Sequence, residues 1–189
     1  MRSTRSQARI EEAVRTILRE MGVKEETEVF RNTPRRVYGM YSELFSGMDG
    51  ENEPRMTSFR NPGYHDILAI KSIPLYSMCE HHLLPIIGEV SIAYIPGEKI
   101  VGLSKLPRAV KYFASRPQVQ ERLTSEIADF LFNKLGAQGV MVYIRARHMC
   151  MEMRGARSHN SETVSSAIRG SFEKNPETKA EALRILVQQ

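Results

Sequence analysis

Two short clusters hold both cysteines of this 189-residue chain and three of its five histidines: Met78-Cys79-Glu80-His81-His82 and His148-Met149-Cys150. Cys79 and His82 stand at the C-x-x-H spacing that lets two ligands in one turn reach one ion. Thiolate with imidazole suits zinc, and three protein ligands leave a position open for water. Water so placed ionises near neutral pH and becomes a nucleophile. A purely structural zinc site would want a fourth ligand, which His81 or His148 can supply. Histidines left beside a metal suit general acid–base work at pH 7. The plainer alternative makes the cysteines small buried hydrophobes and the histidines ordinary.

Other segments offer weaker chemistry. A strand read over Gly139 to Met153 would put His148, Cys150, Glu152 and Arg154 on one face by its period of two. Met149, Met151 and Met153 would then fall on the other face as core packing. In Gly102-Leu103-Ser104-Lys105-Leu106-Pro107-Arg108, Lys105 and Arg108 are three apart at a helix start, where free N–H groups favour phosphate. Such a pair alone is usually just solvated. Gln120 and Glu121, at another helix start, could hydrogen-bond a purine edge, but they are equally ordinary helix-N-terminal residues.

The elements that must carry these residues are legible from periodicity. Ile10, Val14, Ile17, Leu18 and Met21 have helical spacing, stopped by Gly22. Thr33-Pro34 reads as a helix opening, with Val37, Met40, Tyr41, Leu44 and Phe45 on one face. Residues 48–63 read as a linker. Strands are expected from Asp66 to Tyr76 and Glu89 to Ile95, with the Cys-Glu-His-His cluster in their connection. Helices follow at 106–115 and 118–135, then strands at 139–153 and 162–172. Asn175-Pro176 opens a last helix with Ala182, Leu183, Leu186 and Val187 inward. The order β-β-α-α-β-β predicts an α+β domain, an antiparallel sheet with helices on one face and a hairpin at each end. Residues 1–60 are expected to be a helical appendage, and 61–189 the catalytic domain with its C-terminal helix.

Composition bounds the partners. With 41% hydrophobic and 26% charged residues the chain reads as globular. No apolar run approaches a membrane span and no leader is evident, so a cytoplasmic protein with no membrane partner is expected. A reducing compartment favours metal ligation over a Cys79–Cys150 disulfide. Residues 101–170 carry 11 Lys/Arg against 5 Asp/Glu, more than the whole chain's excess of +5. An anionic ligand, nucleic acid or a solvated surface would each account for that.

Taken together, Ser77-Met78-Cys79-Glu80-His81-His82-Leu83-Leu84-Pro85, Gly102-Leu103-Ser104-Lys105, Arg116 through Thr124, and His148-Met149-Cys150-Met151 through Arg154-Gly155 resemble GTP cyclohydrolase I. The likeness extends to Thr33-Pro34-Arg35-Arg36 and Phe45-Ser46-Gly47-Met48-Asp49, and so to nearly the whole chain. It implies the tunnelling fold and a homodecamer with active sites at subunit interfaces. It also implies conversion of GTP and water to 7,8-dihydroneopterin triphosphate and formate, the first step towards folate or tetrahydropterin. By this resemblance Cys79, His82 and Cys150 bind Zn2+, and His81 and His148 move protons as water attacks C8 of the guanine. Gln120 and Glu121 read the guanine edge, and Ser104 sits near the ribose. Lys105, Arg108, Arg154 and a neighbour's Arg36 hold the triphosphate.

Two positions depart from that pattern. Gly39 stands one turn after Arg36, where some relatives have a basic residue. Glu152 brings a negative charge to the inferred ligand face. A related tunnelling-fold enzyme acting on another purine or pterin is a rival reading, opposed by the full zinc set. A zinc-stabilised nucleic-acid module is another; without a second Cys pair or aromatic–basic interleaving, no nucleic-acid partner is expected.

Overall fold

The computed structural model describes residues 4–48 and 50–188, so Asp49 of the Phe45–Asp49 motif lies outside the described residues. The chain forms two compact units, one ending at Ser46 and the other beginning at Gly47. The described residues from 47 to 60 thus go with the second unit, whereas a boundary at 60/61 was expected.

The first unit is a helix pair, α1 (Thr4–Glu20) and α2 (Glu28–Leu44). Gly22 ends the first with φ +81°, a left-handed conformation that costs glycine little. The second does not open at Thr33-Pro34. Thr27 is its cap, accepting from Phe30 N at 3.2 Å, and Pro34 lies inside the helix. A good cap upstream outweighs the single bond to the Phe30 carbonyl that proline cannot donate. Pro34 and Phe30 are the buried residues of α2, and Tyr41 stacks on Phe45 at 5.2 Å along the face expected for them.

The second unit is mixed α/β with a mostly antiparallel sheet. Its strands are β1 (Ser58–Arg60), β2 (Leu68–Cys79), β3 (Pro85–Ile95), β4 (Lys99–Val101), β5 (Pro117–Gln118), β6 (Gly139–His148) and β7 (Thr163–Gly170). The main sheet runs β5-β2-β3-β6-β7, and only β2–β5 is parallel. Both hairpins, β2–β3 and β6–β7, form as expected. Part of the supposed linker is strand instead: β1 pairs with β4.

Helices α3 (Lys105–Ala114) and α4 (Gln120–Leu135) cover one face of the sheet. Val90, Ile92 and Tyr94 of β3 and Val140, Val142 and Ile144 of β6 point into that core with Leu106, Leu123, Ile127 and Leu131. The alternate residues Ala93, Ile95 and Met141 face the other way, where they meet Phe172, Ala182 and Leu186. Phe172 belongs to α6 (Ser171–Lys174), and Ala182 and Leu186 to α7 (Pro176–Val187). Helices therefore lie on both faces, not one, because α7 folds back over the reverse side. Of its expected inward residues, Ala182 and Leu186 are buried but Leu183 and Val187 are exposed.

The strands that carry the site approach closely at Gly88, opposite Ala146 in the β3–β6 ladder. A Cβ at Gly88 would lie 2.1 Å from the Arg145 carbonyl oxygen and 2.5 Å from Ala146 Cα. Backbone cannot yield as a side-chain tip can. Gly88→Ala is therefore expected to destabilise the protein by about 1–3 kcal/mol or more, read as a lowered melting temperature; an unchanged melt would show that the two strands separate freely.

Candidate active site

Cys79 is the last residue of β2, where the antiparallel pairing with β3 closes at Met78–Pro85. The backbone turns tightly there. Cys79 N donates to the Leu84 carbonyl and Leu83 N to the Cys79 carbonyl, both at 2.9 Å. Leu83 sits at φ +52°, a strained conformation for a bulky side chain, of the kind that persists where surrounding structure enforces it. The turn folds His82 back beside Cys79, with Nδ1 at 3.8 Å from Sγ; His81 Nδ1 is also 3.8 Å from that sulfur.

Neighbouring elements hold this turn in place. Glu80 N donates to the Gln118 carbonyl at 3.0 Å. Arg122 donates through Nε to Gln118 Oε1 at 3.0 Å and through Nη2 to the Pro117 carbonyl at 3.1 Å and to the Glu80 carboxylate. Ser77 Oγ donates to the Ala114 carbonyl at 2.8 Å, tying the end of α3 to β2.

The second cluster departs from its expected conformation. Strand β6 stops at His148, opposite Ile86, because β3 begins one residue earlier at Pro85 and offers no further partner. Backbone groups that lose a ladder must bond elsewhere, and the chain winds into one helical turn, α5 (Met149–Glu152), with Met153 N donating to the Met149 carbonyl at 2.9 Å. His148, Cys150, Glu152 and Arg154 therefore do not share a strand face. Nor are Met151 and Met153 core residues, since both are exposed. Glu152 forms an ion pair with Arg147, which neutralises the charge that seemed misplaced there. The same pairing, chiefly its hydrogen bond, holds the Glu152 carboxyl below its ordinary pKa.

The helical turn still brings Cys150 to Cys79 and His82. One ligand atom from each of the three lies within 4.8 Å of the others. Neither cysteine is in a disulfide. Burial raises the pKa of the Cys150 thiol, and the adjacent Cys79 thiol raises it further. A cation between them would reverse that, because a coordinating thiol is deprotonated. His148, half-buried beside the group, has its pKa lowered by burial, partly offset by the charge of Glu121. It is therefore a neutral imidazole at pH 7, able to accept a proton.

The remaining expected residues divide. Glu121 is exposed and near His148, and Arg154 is exposed and near Cys150. Gln120 is only 1% exposed, with both ends of its amide engaged inside the protein. Ser104, Lys105 and Arg108 begin α3, whereas it is the far end of α3 that touches β2 beside Cys79. A helix of ten residues separates the two ends by about 14 Å. Arg36 is exposed on α2, and Gly39 beside it has nothing within 4 Å of a built Cβ. The supporting residues Gln118, Arg122, Thr124 and Ser165 were not anticipated. The i, i+4 spacing of Gln118 with Arg122 and of Gln120 with Thr124 was a usable signal; Ser165 had none.

A Cys-His-Cys group beside a neutral histidine and an acidic residue is an arrangement used by metal-assisted hydrolases. The chain matches the GTP cyclohydrolase I family over residues 10–187. It is 49% identical over 181 residues to the GTP cyclohydrolase 1 of Pelotomaculum thermopropionicum, covering 95% of this chain and 96% of that one. It is 47% identical over 182 residues to that of Carboxydothermus hydrogenoformans (96% and 95% covered) and 45% over 180 residues to that of Geobacillus kaustophilus (95% and 96%). The chain belongs to the GTP cyclohydrolase I family, and it is an enzyme of that class, a hydrolase acting on cyclic amidines. No helix among the described residues is long and apolar enough to cross a membrane.

Arg122 tests whether the turn needs its anchor. Arg122→Ala is expected to weaken divalent-cation binding by about 10- to 100-fold, the effect of removing a group that orients ligands. Competition against a chelator would measure it, and unaltered affinity would show that the Cys79–His82 turn holds its shape unaided.

Proposed function

We propose that this chain is a zinc-dependent enzyme that converts GTP and water to 7,8-dihydroneopterin triphosphate and formate, within folate or tetrahydropterin biosynthesis. The observation that carries the proposal is the convergence of Cys79, His82 and Cys150 in a chain of this family. Two thiols and an imidazole are a donor set that suits zinc, and three protein ligands leave a position for water. Zinc held there supplies a Lewis acid and water that ionises near neutral pH.

The chain's own residues do the rest. His148, kept neutral by burial, accepts a proton as the imidazole ring of the guanine opens. His81, exposed on the turn and 3.8 Å from Glu80 Oε1, returns protons as formate leaves. Glu121 reads the guanine edge, and its carboxylate can accept from the ring N–H and the exocyclic amine. Ser104 contacts the ribose during the rearrangement that closes the pterin ring. Lys105, Arg108 and Arg154, with Arg36 from the N-terminal helix of a neighbouring subunit, carry the charge that holds the triphosphate.

The distance between the start of α3 and Cys79 within one chain supports an active site completed by a neighbouring subunit. We take the assembly to be a homodecamer of tunnelling-fold subunits. The β-β-α-α-β-β order and the antiparallel hairpins at both ends support that fold.

Metal content and formate release measured on one preparation test the reading. Zinc-loaded protein given GTP is expected to release formate and a pterin that fluoresces after oxidation; zinc-replete protein yielding neither overturns it. Cys150→Ser should lose both zinc and turnover. His148→Ala should keep its zinc while kcat falls about 10²-fold or more; loss of the metal in that variant would make His148 a ligand instead.

A further inference from the structure

Gln120, the first residue of α4, is buried beneath His148 in a closed polar network. Its Nε2 donates to the carbonyl oxygens of Thr163 at 3.0 Å and Ile144 at 3.3 Å, and to Ser165 Oγ at 3.0 Å. Carbonyl oxygens only accept, so the amide end facing them must be the nitrogen. The hydroxyls agree with this. Thr124 Oγ1 donates to the Gln120 backbone carbonyl at 2.6 Å, so its lone pair is what meets Ser165 Oγ at 2.7 Å. Ser165 then donates to Thr124 and is left to accept from Gln120.

That settles the other end of the amide. Gln120 Oε1 faces His148 Nε2 at 2.8 Å and can only accept, so Nε2 must carry the hydrogen. A neutral imidazole protonated on Nε2 has its lone pair on Nδ1. We propose that Gln120 is a positioning residue, whose amide, oriented by the sheet carbonyls of Ile144 and Thr163, holds His148 as the Nε2–H tautomer and so makes Nδ1 the atom that exchanges protons with substrate. Gln120 thus acts through His148 and not through guanine. The proposal rests on the reading of His148 as a proton-transfer group. Orienting a histidine through its second nitrogen is a general device of such sites.

The test uses the zinc-loaded full-length protein with 15N-labelled histidine, observed by solid-state NMR. His148 resonances are identified by their loss in His148→Ala. The expected spectrum has a protonated Nε2 and an unprotonated Nδ1 at His148. In Gln120→Met, which keeps length but removes both amide functions, this tautomer preference should disappear. There kcat should fall about 10- to 100-fold, the scale of removing a group that orients a histidine, while the KM for GTP and the zinc content hold. A His148 protonated on Nδ1 in the unaltered protein overturns the proposal. So does a Gln120→Met variant with raised KM and unchanged kcat, which would return Gln120 to the purine, or one with neither constant changed. Should that variant fail to fold, the spectrum of the unaltered protein still decides the tautomer. The spectrum does not depend on turnover, so a protein with the expected tautomer that releases no formate would refute the reaction and leave the positioning intact.

Discussion

The site depends on the register of the β2–β3–β6 ladder. Ile86 lies opposite Ser77 on one side and opposite His148 on the other. This one residue of β3 therefore aligns two clusters that are about seventy positions apart in the chain. Neighbouring strands are about 4.8 Å apart, so a shared rung brings the end of β2 and the end of β6 within reach of a single ion. A slip of one residue would turn every side chain to the opposite face. The buried alternation of Val90, Ile92 and Tyr94 against Ala93 and Ile95 makes such a slip costly, because each set has its own core to fill.

Both clusters lie just where regular pairing runs out. Beyond Met78–Pro85 the hairpin must turn, and beyond His148 the sixth strand has no partner. Released from the ladder, the backbone at each place bonds to itself, as a tight turn through Leu83 and as one helical turn through Cys150. Such turns can aim adjacent side chains at one point, which the strict alternation of a strand forbids. Flexible strand ends would aim them poorly. Arg122 from α4 and Gln118 from β5 restrain the first turn through Glu80, while the buried amide of Gln120 restrains His148 from below.

The polar interactions fall into two kinds. Arg145 with Glu89, Arg147 with Glu152 and Arg169 with Asp129 are partly exposed ion pairs on the sheet and its edge, each of modest worth in water. In the Gln120–Thr124–Ser165 network Gln120 and Thr124 are shielded from solvent, and a donor or acceptor left unmade on them would carry its full desolvation cost. The shielded network is the one that touches the candidate chemistry. Its stringency is useful, since a fully satisfied buried network permits one arrangement and therefore one orientation of the imidazole.

By itself the sequence determined the candidate metal group, the element types and most of their bounds. Cys79-x-x-His82 and His148-x-Cys150 are local spacings, and capping residues, glycine stops and periodicity are local signals. Asn175 before Pro176 opened its helix as expected, its side chain accepting from Glu177 N and Thr178 N. Local signals failed where a distant partner, or the lack of one, decided the outcome. Residues 139–153 look like one continuous strand, yet the strand ends at His148 because β3 does. Thr33-Pro34 looks like a cap, yet Thr27 already serves. The C-terminal helix shows its amphipathic face, but not that it covers the reverse side of the sheet. Gln120 stands beside Glu121 at a helix start, and nothing nearby in the chain indicates that its amide will bond to Ile144, Thr163 and Ser165. Only the tertiary structure could decide these matters, because strand pairing and buried hydrogen bonds are made between residues far apart in sequence, and the donors and acceptors at any one position are claimed by whichever partners the fold brings there.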